Sequence, residues 1–168
     1  MELGFRDELT NKVDAKGRVS IPAAFRAVLC AGDPACDADD PSKTAKNPRV
    51  VLMHGMGGDA CLTGYTVQAA KEMEQKILAM PYGRDRKKLL RRLAAKSIPL
   101  AIDDNGRIIL RKDLCEKFNI EDTAVFVGMV ELFQIWNPAD YEADSADIDS
   151  DIDEEDVLEL LNDLRIGG

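Results

Sequence analysis

The strongest constraint on this chain is that it repeats itself, and a chain that does so folds as related units before anything else is decided. Val13-Asp14-Ala15-Lys16-Gly17-Arg18-Val19-Ser20-Ile21 returns as Ile102-Asp103-Asp104-Asn105-Gly106-Arg107-Ile108-Ile109-Leu110, at an offset of 89 residues. Each copy reads apolar, Asp, two variable residues, Gly, Arg, then a β-type run. A short helical segment follows each, residues 22–29 and 112–118, and Pro22 suits a first helical position because its missing N–H costs nothing there. Two buried-strand runs come next, 50–53 and 124–127. Glycine follows both, and a second β-type run then comes in each copy, 61–65 and 133–136. Thr66 and Asn137 are good helix N-caps, and Pro138 fits the position after the second. Each copy therefore reads strand, turn, strand, short helix, strand, turn, strand, helix. Two copies this small bury too little surface apart, so they share one core about a pseudo-two-fold. The fold class is α+β.

Four segments follow. Residues 1–80 form the first repeat, lengthened by an insertion at 31–48 whose Pro, Asp, Ala and Ser mark a surface loop. Residues 81–98 form a connecting basic helix, with helices expected at 67–80 and 84–96 on either side of Pro81-Tyr82-Gly83. Ala70, Met73, Ile77 and Met80 have helical spacing. Residues 99–142 form the second repeat. Residues 143–168 form an acidic tail, read as disordered from its charge and lack of aromatics, although Val157, Leu158, Leu160, Leu161 and Leu164 leave a short amphipathic partner helix open.

Charge is unevenly spread. Residues 137–168 hold 12 of the 31 acids and one base, so a chain of net charge −9 has a mildly basic body. That asymmetry marks a folded body with an interaction tail. The uncharged runs fall far short of the roughly 20 apolar residues that span a bilayer, and the charged N-terminus predicts no signal peptide. Cys30, Cys36, Cys61 and Cys115 contain no CxxC pair and are read as reduced thiols.

The repeated turn carries the chemistry. Gly17 and Gly106 fit hairpin positions that need φ > 0. Asp14 and Asp103 fix the turn by bonding to backbone two residues on. Turn chemistry accounts for Asp and Gly but not for Arg18 and Arg107, which leave each turn at its exposed end. A hairpin tip carrying Arg can enter a DNA groove and bind guanine O6/N7 bidentately, and two tips on a pseudo-two-fold suit two half-sites. Lys16 and Lys12 can meet phosphates beside Arg18. Arg111 lies just beyond the second tip, which has Asn105 in place of the lysine. The first tip is expected to bind more strongly.

The doubled Asp14-Ala15-Lys16-Gly17-Arg18 and Asp103-Asp104-Asn105-Gly106-Arg107 pattern resembles the MraZ family, as do Phe5-Arg6, Val19-Ser20-Ile21-Pro22-Ala23 and Phe133-Gln134-Ile135-Trp136. The resemblance covers roughly residues 4–142. It implies two AbrB-like swapped-hairpin halves in one chain. It also implies a bacterial DNA-binding repressor, encoded first in the division and cell-wall gene cluster and acting on short direct repeats in that cluster's promoter. A ring-shaped homo-oligomer in the cytoplasm and nucleoid is implied too, with DNA contact falling on Arg18 first, then Lys16, then Arg107. The chain departs from the pattern at Asp7, where the family usually has Gly, and at Arg111-Lys112, which replaces an Ile-Pro or Pro-Pro stretch. The insertion and the acidic tail fall outside the pattern.

Other features point elsewhere less well. The segment 84–96 carries seven bases and one acid, which reads as a solvated helix face, a phosphate-contacting surface or a partner for the acidic tail. His54-Gly55-Met56-Gly57-Gly58 resembles an esterase oxyanion loop, but no Gly-x-Ser-x-Gly follows and His54 is the one histidine. Cys30, Cys36, His54 and Cys61 lack zinc-finger spacing, so no metal site is expected. No catalysis, cofactor, membrane or small-molecule substrate is expected, and double-stranded DNA and further copies of the chain are the expected partners. Two rival readings remain: an antitoxin-type AbrB-like protein acting through its acidic tail, and a structural oligomer whose tips make subunit contacts.

Overall fold

A computed structural model describes residues 3–36, 40, 42, 47–55 and 60–167. The first repeat supplies β1 (Glu8–Lys12), β2 (Arg18–Ser20), α1 (Ala23–Ala31), β3 (Arg49–Met53), β4 (Leu62–Tyr65) and α2 (Val67–Leu78). After α3 (Arg84–Leu93), the second supplies β5 (Ser97–Ala101), β6 (Arg107–Ile109), α4 (Lys112–Lys117), β7 (Thr123–Gly128), β8 (Phe133–Trp136) and α5 (Pro138–Asp151). The last helix is α6 (Glu154–Gly167). The fold is mixed α and β. Six strands form one antiparallel sheet in the order β1-β7-β8-β4-β3-β5, and β2 and β6 form a separate two-stranded ribbon.

The repeat is legible in the strand register. Leu9 lies opposite Phe126 where β1 meets β7, and Ile98 lies opposite Leu52 where β5 meets β3. These are the same pair one repeat apart. The two copies meet symmetrically at Thr63 opposite Gln134 and at Val19 opposite Ile108. Only β3–β4 and β7–β8 pair within a copy. All other ladders join one copy to the other, so neither copy alone completes a sheet.

Alternation does the sorting in the ribbon. Val19 and Ile108 point inward and are buried, while the same-strand neighbours Ser20 and Ile109 are exposed. Beneath them Phe5, Phe25, Phe126 and Phe133 pack with ring centroids 5.1–6.4 Å apart. Each such side chain contributes about 1.5–3 kcal/mol of burial. A second cluster, Met53, Val67, Ala70, Ile77 and Leu93, fixes α2 and α3 against β3. Thr66 caps α2 by accepting from the Ala69 N–H at 3.0 Å.

Several expectations are corrected. Pro22 is the N-cap of α1 rather than its first residue. The second repeat begins at Ser97, inside the segment assigned to the connecting helix, because Pro99 reads as a break but lies on β5, an edge strand that tolerates it. The basic helix ends at Leu93. Cys30 and Cys36 are not reduced thiols but a disulfide, with Cα atoms 5.3 Å apart. The chain turns back after α1, the Cys36 N–H donating to Asp33 O at 2.9 Å. That turn brings the two cysteines within bonding range, which residue spacing alone does not reveal. Asp33 is buried, and Arg49 forks onto both its oxygens at 2.8 and 3.0 Å. This pair anchors both ends of the insertion.

Residues 3–137 fall in one compact unit, and residues 138–167 in another. The second unit carries α5 and α6, where the sequence reading has a disordered tail from residue 143 with a short partner helix left open. Charge composition misleads here because helix ends are local. Asp153 Oδ1 accepts from the Asp156 N–H at 2.8 Å, and Asp156 returns a bond to the Asp153 N–H at 3.3 Å. This reciprocal cap starts α6, and Glu154, Glu155 and Asp156 in the first turn complement the helix dipole.

Candidate nucleic-acid interface

Both turns close in the same way. The Asp14 N–H donates to Arg18 O at 3.0 Å and the Gly17 N–H to Asp14 O at 3.0 Å, while Asp103, Gly106 and Arg107 repeat both bonds at 2.9 Å. Each aspartate also accepts two more backbone N–H groups at 2.9 Å, from Lys16 and Arg18 in the first turn and from Asn105 and Arg107 in the second. The Arg18 backbone N–H, then its side chain, hold the Asp14 carboxyl below the usual carboxylate range. The Arg107 backbone N–H does the same for Asp103. Gly17 and Gly106 have φ of +83° and +77°, so glycine is required at both. The two turns are then tied across the repeat: the Ile21 N–H donates to Gly106 O at 2.9 Å and the Leu110 N–H to Gly17 O at 2.8 Å.

This cross-tying changes the picture of two separate tips. Arg18 lies opposite Ile109 and Arg107 opposite Ser20. The arginines are therefore diagonal neighbours on the outer face of one ribbon, about 7–8 Å apart at the backbone. Half-sites one helical turn apart need about 34 Å, a distance that two diagonal neighbours on one ribbon do not span. The repeat revealed both arginines but not which strands would pair.

Neither arginine leaves its turn freely. Arg18 Nε donates to Asp14 Oδ2 at 2.6 Å, while its two terminal amino groups make no hydrogen bond among the described residues. Arg107 Nε stands 3.4 Å from Asp103 Oδ2 and makes no hydrogen bond among the described residues. The first arginine is thus held in a set orientation and the second is looser. Lys12 and Lys16 are exposed beside the first turn. Arg111 instead forks onto Asp113 with two 3.0 Å bonds, so its charge is answered locally.

One cation was missed in the sequence. The Arg26 guanidinium from α1 lies against Gly106, and its Nε is buried without a partner among the described residues. The repeat offset maps Arg26 onto Cys115, so the motif comparison gave no reason to notice it. Arg26 brings to the second turn a positive charge where Asn105 replaces Lys16. The resemblance to an esterase loop ends at residues 56–59, which lie outside the described residues. No group of three or more His, Cys, Asp or Glu suited to a metal occurs among the described residues, and no described helix is long and apolar enough to cross a membrane.

Fold and surface together define a class: a duplicated α+β protein that displays an arginine-bearing two-stranded ribbon. Comparison with known proteins gives its family. The family model described as "MraZ protein, putative antitoxin-like" matches residues 94–160. The transcriptional regulator MraZ of Ruegeria pomeroyi is 42% identical over 139 residues, covering 82% of this chain and 80% of its own length. That of Cereibacter sphaeroides strain ATCC 17029 is 34% identical, covering 87% of each chain, and that of Thermoanaerobacter pseudethanolicus is 32% identical, covering 92% and 94%. The chain belongs to the MraZ family, whose named relatives are transcriptional regulators. The family match runs on to residue 160, so part of the acidic segment falls inside the pattern rather than outside it.

Proposed function

We propose that this transcription regulator is a sequence-specific DNA-binding repressor whose β2–β6 ribbon enters one major groove. The observation that carries the reading is the shared outer face of that ribbon, with Arg18 and Arg107 as diagonal neighbours. A two-stranded ribbon fits the major groove, and an arginine reads guanine O6/N7 with two parallel bonds. Asp14 supports the reading by pinning Arg18 Nε, so that little side-chain freedom is left to lose on binding. Lys12, Lys16 and Arg26 supply phosphate contacts. Arg111 has at most an outer role.

The exchange of strands between copies supports an AbrB-like swapped-hairpin arrangement. One ribbon gives a modest interaction, so the reading includes a ring-shaped homo-oligomer that meets successive direct repeats and binds by avidity. Repression of its own division and cell-wall cluster, in the cytoplasm and on the nucleoid, belongs to the same reading. The mechanism is promoter occupancy, without catalysis or cofactor.

Fluorescence anisotropy with DNA from upstream of the gene, against a scrambled duplex, tests this. Arg18→Ala is expected to weaken specific binding by about 1–3 kcal/mol with the fold intact. Equal affinity of mutant and wild type for the native site would sink the assignment. A second reading, an antitoxin-type protein acting through its acidic segment, draws on the family description. It predicts a stable complex with the product of a neighbouring gene and no preference for native DNA.

A further inference from the structure

The outer face of the ribbon carries one apolar side chain among its cations. Arg18 and Ser20 on β2 share that face with Arg107 and Ile109 on β6, and Ile109 stands directly opposite Arg18. Ile109 is 58% exposed and belongs to neither core cluster among the described residues. Strand alternation does not call for an apolar residue here, because Ile108 is the one that β6 buries. The equivalent of Ile109 in the first copy, 89 residues earlier, is Ser20. Single exposed apolar residues are common on protein surfaces. This one lies between two arginines: Arg18 across the ladder and Arg107 two residues back along its own strand.

The ladder sets how far apart these side chains stand. The Leu110 N–H donates to Gly17 O at 2.8 Å and the Ile21 N–H to Gly106 O at 2.9 Å. Bonded and non-bonded pairs alternate along an antiparallel ladder. Arg18 and Ile109 therefore form a non-hydrogen-bonded pair, the kind whose side chains come closest. Their Cβ atoms then stand about 4.5–5.5 Å apart. Bases rise about 3.4 Å per step along a strand, so the two side chains address base pairs one or two steps apart. Their lengths suit different targets. Arginine reaches guanine O6 and N7, whereas the C5-methyl of thymine is met by apolar groups as short as alanine.

We propose that Ile109 reads the C5-methyl of a thymine one or two base pairs from the guanine held by Arg18. The contact rests on the reading of the ribbon as a major-groove DNA reader and names the second base it selects. A lone apolar side chain between cations suits a methyl group set in a phosphate-lined groove. An apolar protein surface would bury both arginines without hydrogen-bond partners, at a high cost. Cytosine offers an N4 donor and no methyl in the major groove, so an isoleucine contact selects thymine against it. Ser20 offers a hydroxyl at the matched place, so the two halves of the ribbon read unequal bases.

The test uses the full chain and the duplex from upstream of the gene, made once with thymine and once with deoxyuridine at every thymine. That change removes the methyls and keeps the base pairing. Fluorescence anisotropy is read for wild type, Ile109→Ser and Ile109→Val, with circular dichroism to check the fold. Wild type should bind the uracil duplex about fourfold more weakly, the effect of losing one buried methyl. Ile109→Ser should bind the thymine duplex about fourfold more weakly and lose less than about twofold on the change to uracil. Ile109→Val should keep the sensitivity of wild type. No loss in wild type, an equal loss in wild type and Ile109→Ser, or a valine variant as insensitive as the serine one would each overturn the proposal. Specific binding that Arg18→Ala abolishes and uracil leaves unchanged would overturn the thymine contact alone. No preference of wild type for the native thymine duplex over a scrambled one would overturn the DNA reading with it.

Discussion

Gly17→Ala and Gly106→Ala alter equivalent positions of the repeat, yet the structure predicts unequal costs. Both glycines have positive φ, so a Cβ at either costs about 1–2 kcal/mol of left-handed strain. What the Cβ meets differs. At Gly17 it runs into the backbone carbonyl of Leu110, the residue whose N–H bonds to Gly17 O at 2.8 Å. That backbone cannot move without disturbing the tie between the copies. The loss adds about 0.5–1.5 kcal/mol for the hydrogen bond and about 1–3 kcal/mol for the forced shift. At Gly106 the nearest atoms a Cβ meets all belong to the end of the Arg26 side chain, which can swing away. Gly17→Ala should therefore cost about 2.5–6.5 kcal/mol and Gly106→Ala about 1–2 kcal/mol. Urea unfolding followed by fluorescence measures both, because Trp136 is the single tryptophan and is buried on β8. With m of about 1–3 kcal/mol/M, the difference amounts to roughly half a molar or more in midpoint. Equal midpoints, or a larger loss at Gly106, would refute the assignment of the cost to the Leu110 carbonyl.

Other outcomes follow from the same geometry. Burial opposes the charge on Asp33, but the Arg49 fork and two backbone N–H groups outweigh it and hold the carboxyl below its usual value. A lowered folded-state value means that the contribution is full above the unfolded pKa of about 3.9 and is lost as pH falls through the folded one. Asp33→Asn should thus cost about 2 kcal/mol at neutral pH, a figure reduced because half-exposed Arg49 is screened. It should also flatten the acid-side fall in urea midpoint below about pH 4; an unchanged acid slope would exclude this pair as its source. Asp7 has φ of +85°, where its Oδ1 accepts from the Glu8 N–H at 2.7 Å. Asp7→Gly should lie within about 0.5 kcal/mol of wild type, and Asp7→Val should lose about 1–2 kcal/mol. Thermal unfolding separates the two, and a Val variant as stable as the Gly variant would refute the left-handed explanation. Lys16→Ala should weaken DNA binding uniformly across sequences and lower the slope of log affinity against log salt by about one. A change confined to the native site would assign Lys16 to base reading instead.

Asp7 shows how far the sequence reached. The family resemblance marks it as a departure from glycine, and its φ of +85° is a backbone conformation that glycine adopts freely. The repeat fixed which residues are equivalent, where glycine is needed and which arginines turn chemistry does not require. Local rules also placed Thr66 as a cap and put Val19 and Ile108 on one face of their strands. In the acidic segment they left both a disordered tail and a short helix open, because bulk charge was weighed above the Asp153–Asp156 cap that starts α6.

What the sequence determined by itself is local or periodic: the duplicated turn, the alternation of buried and exposed residues, the caps and the uneven charge. Strand pairing is neither. Whether β2 pairs with β1 or with β6 depends on contacts between residues about 90 apart, and hydrophobic alternation permits both. Tertiary structure alone therefore decided that Arg18 and Arg107 share one ribbon, that Arg26 reaches Gly106 and that Cys36 returns to Cys30. The first two join one copy to the other, which only the closing of two incomplete sheets into one core achieves, while the third rests on the turn after α1.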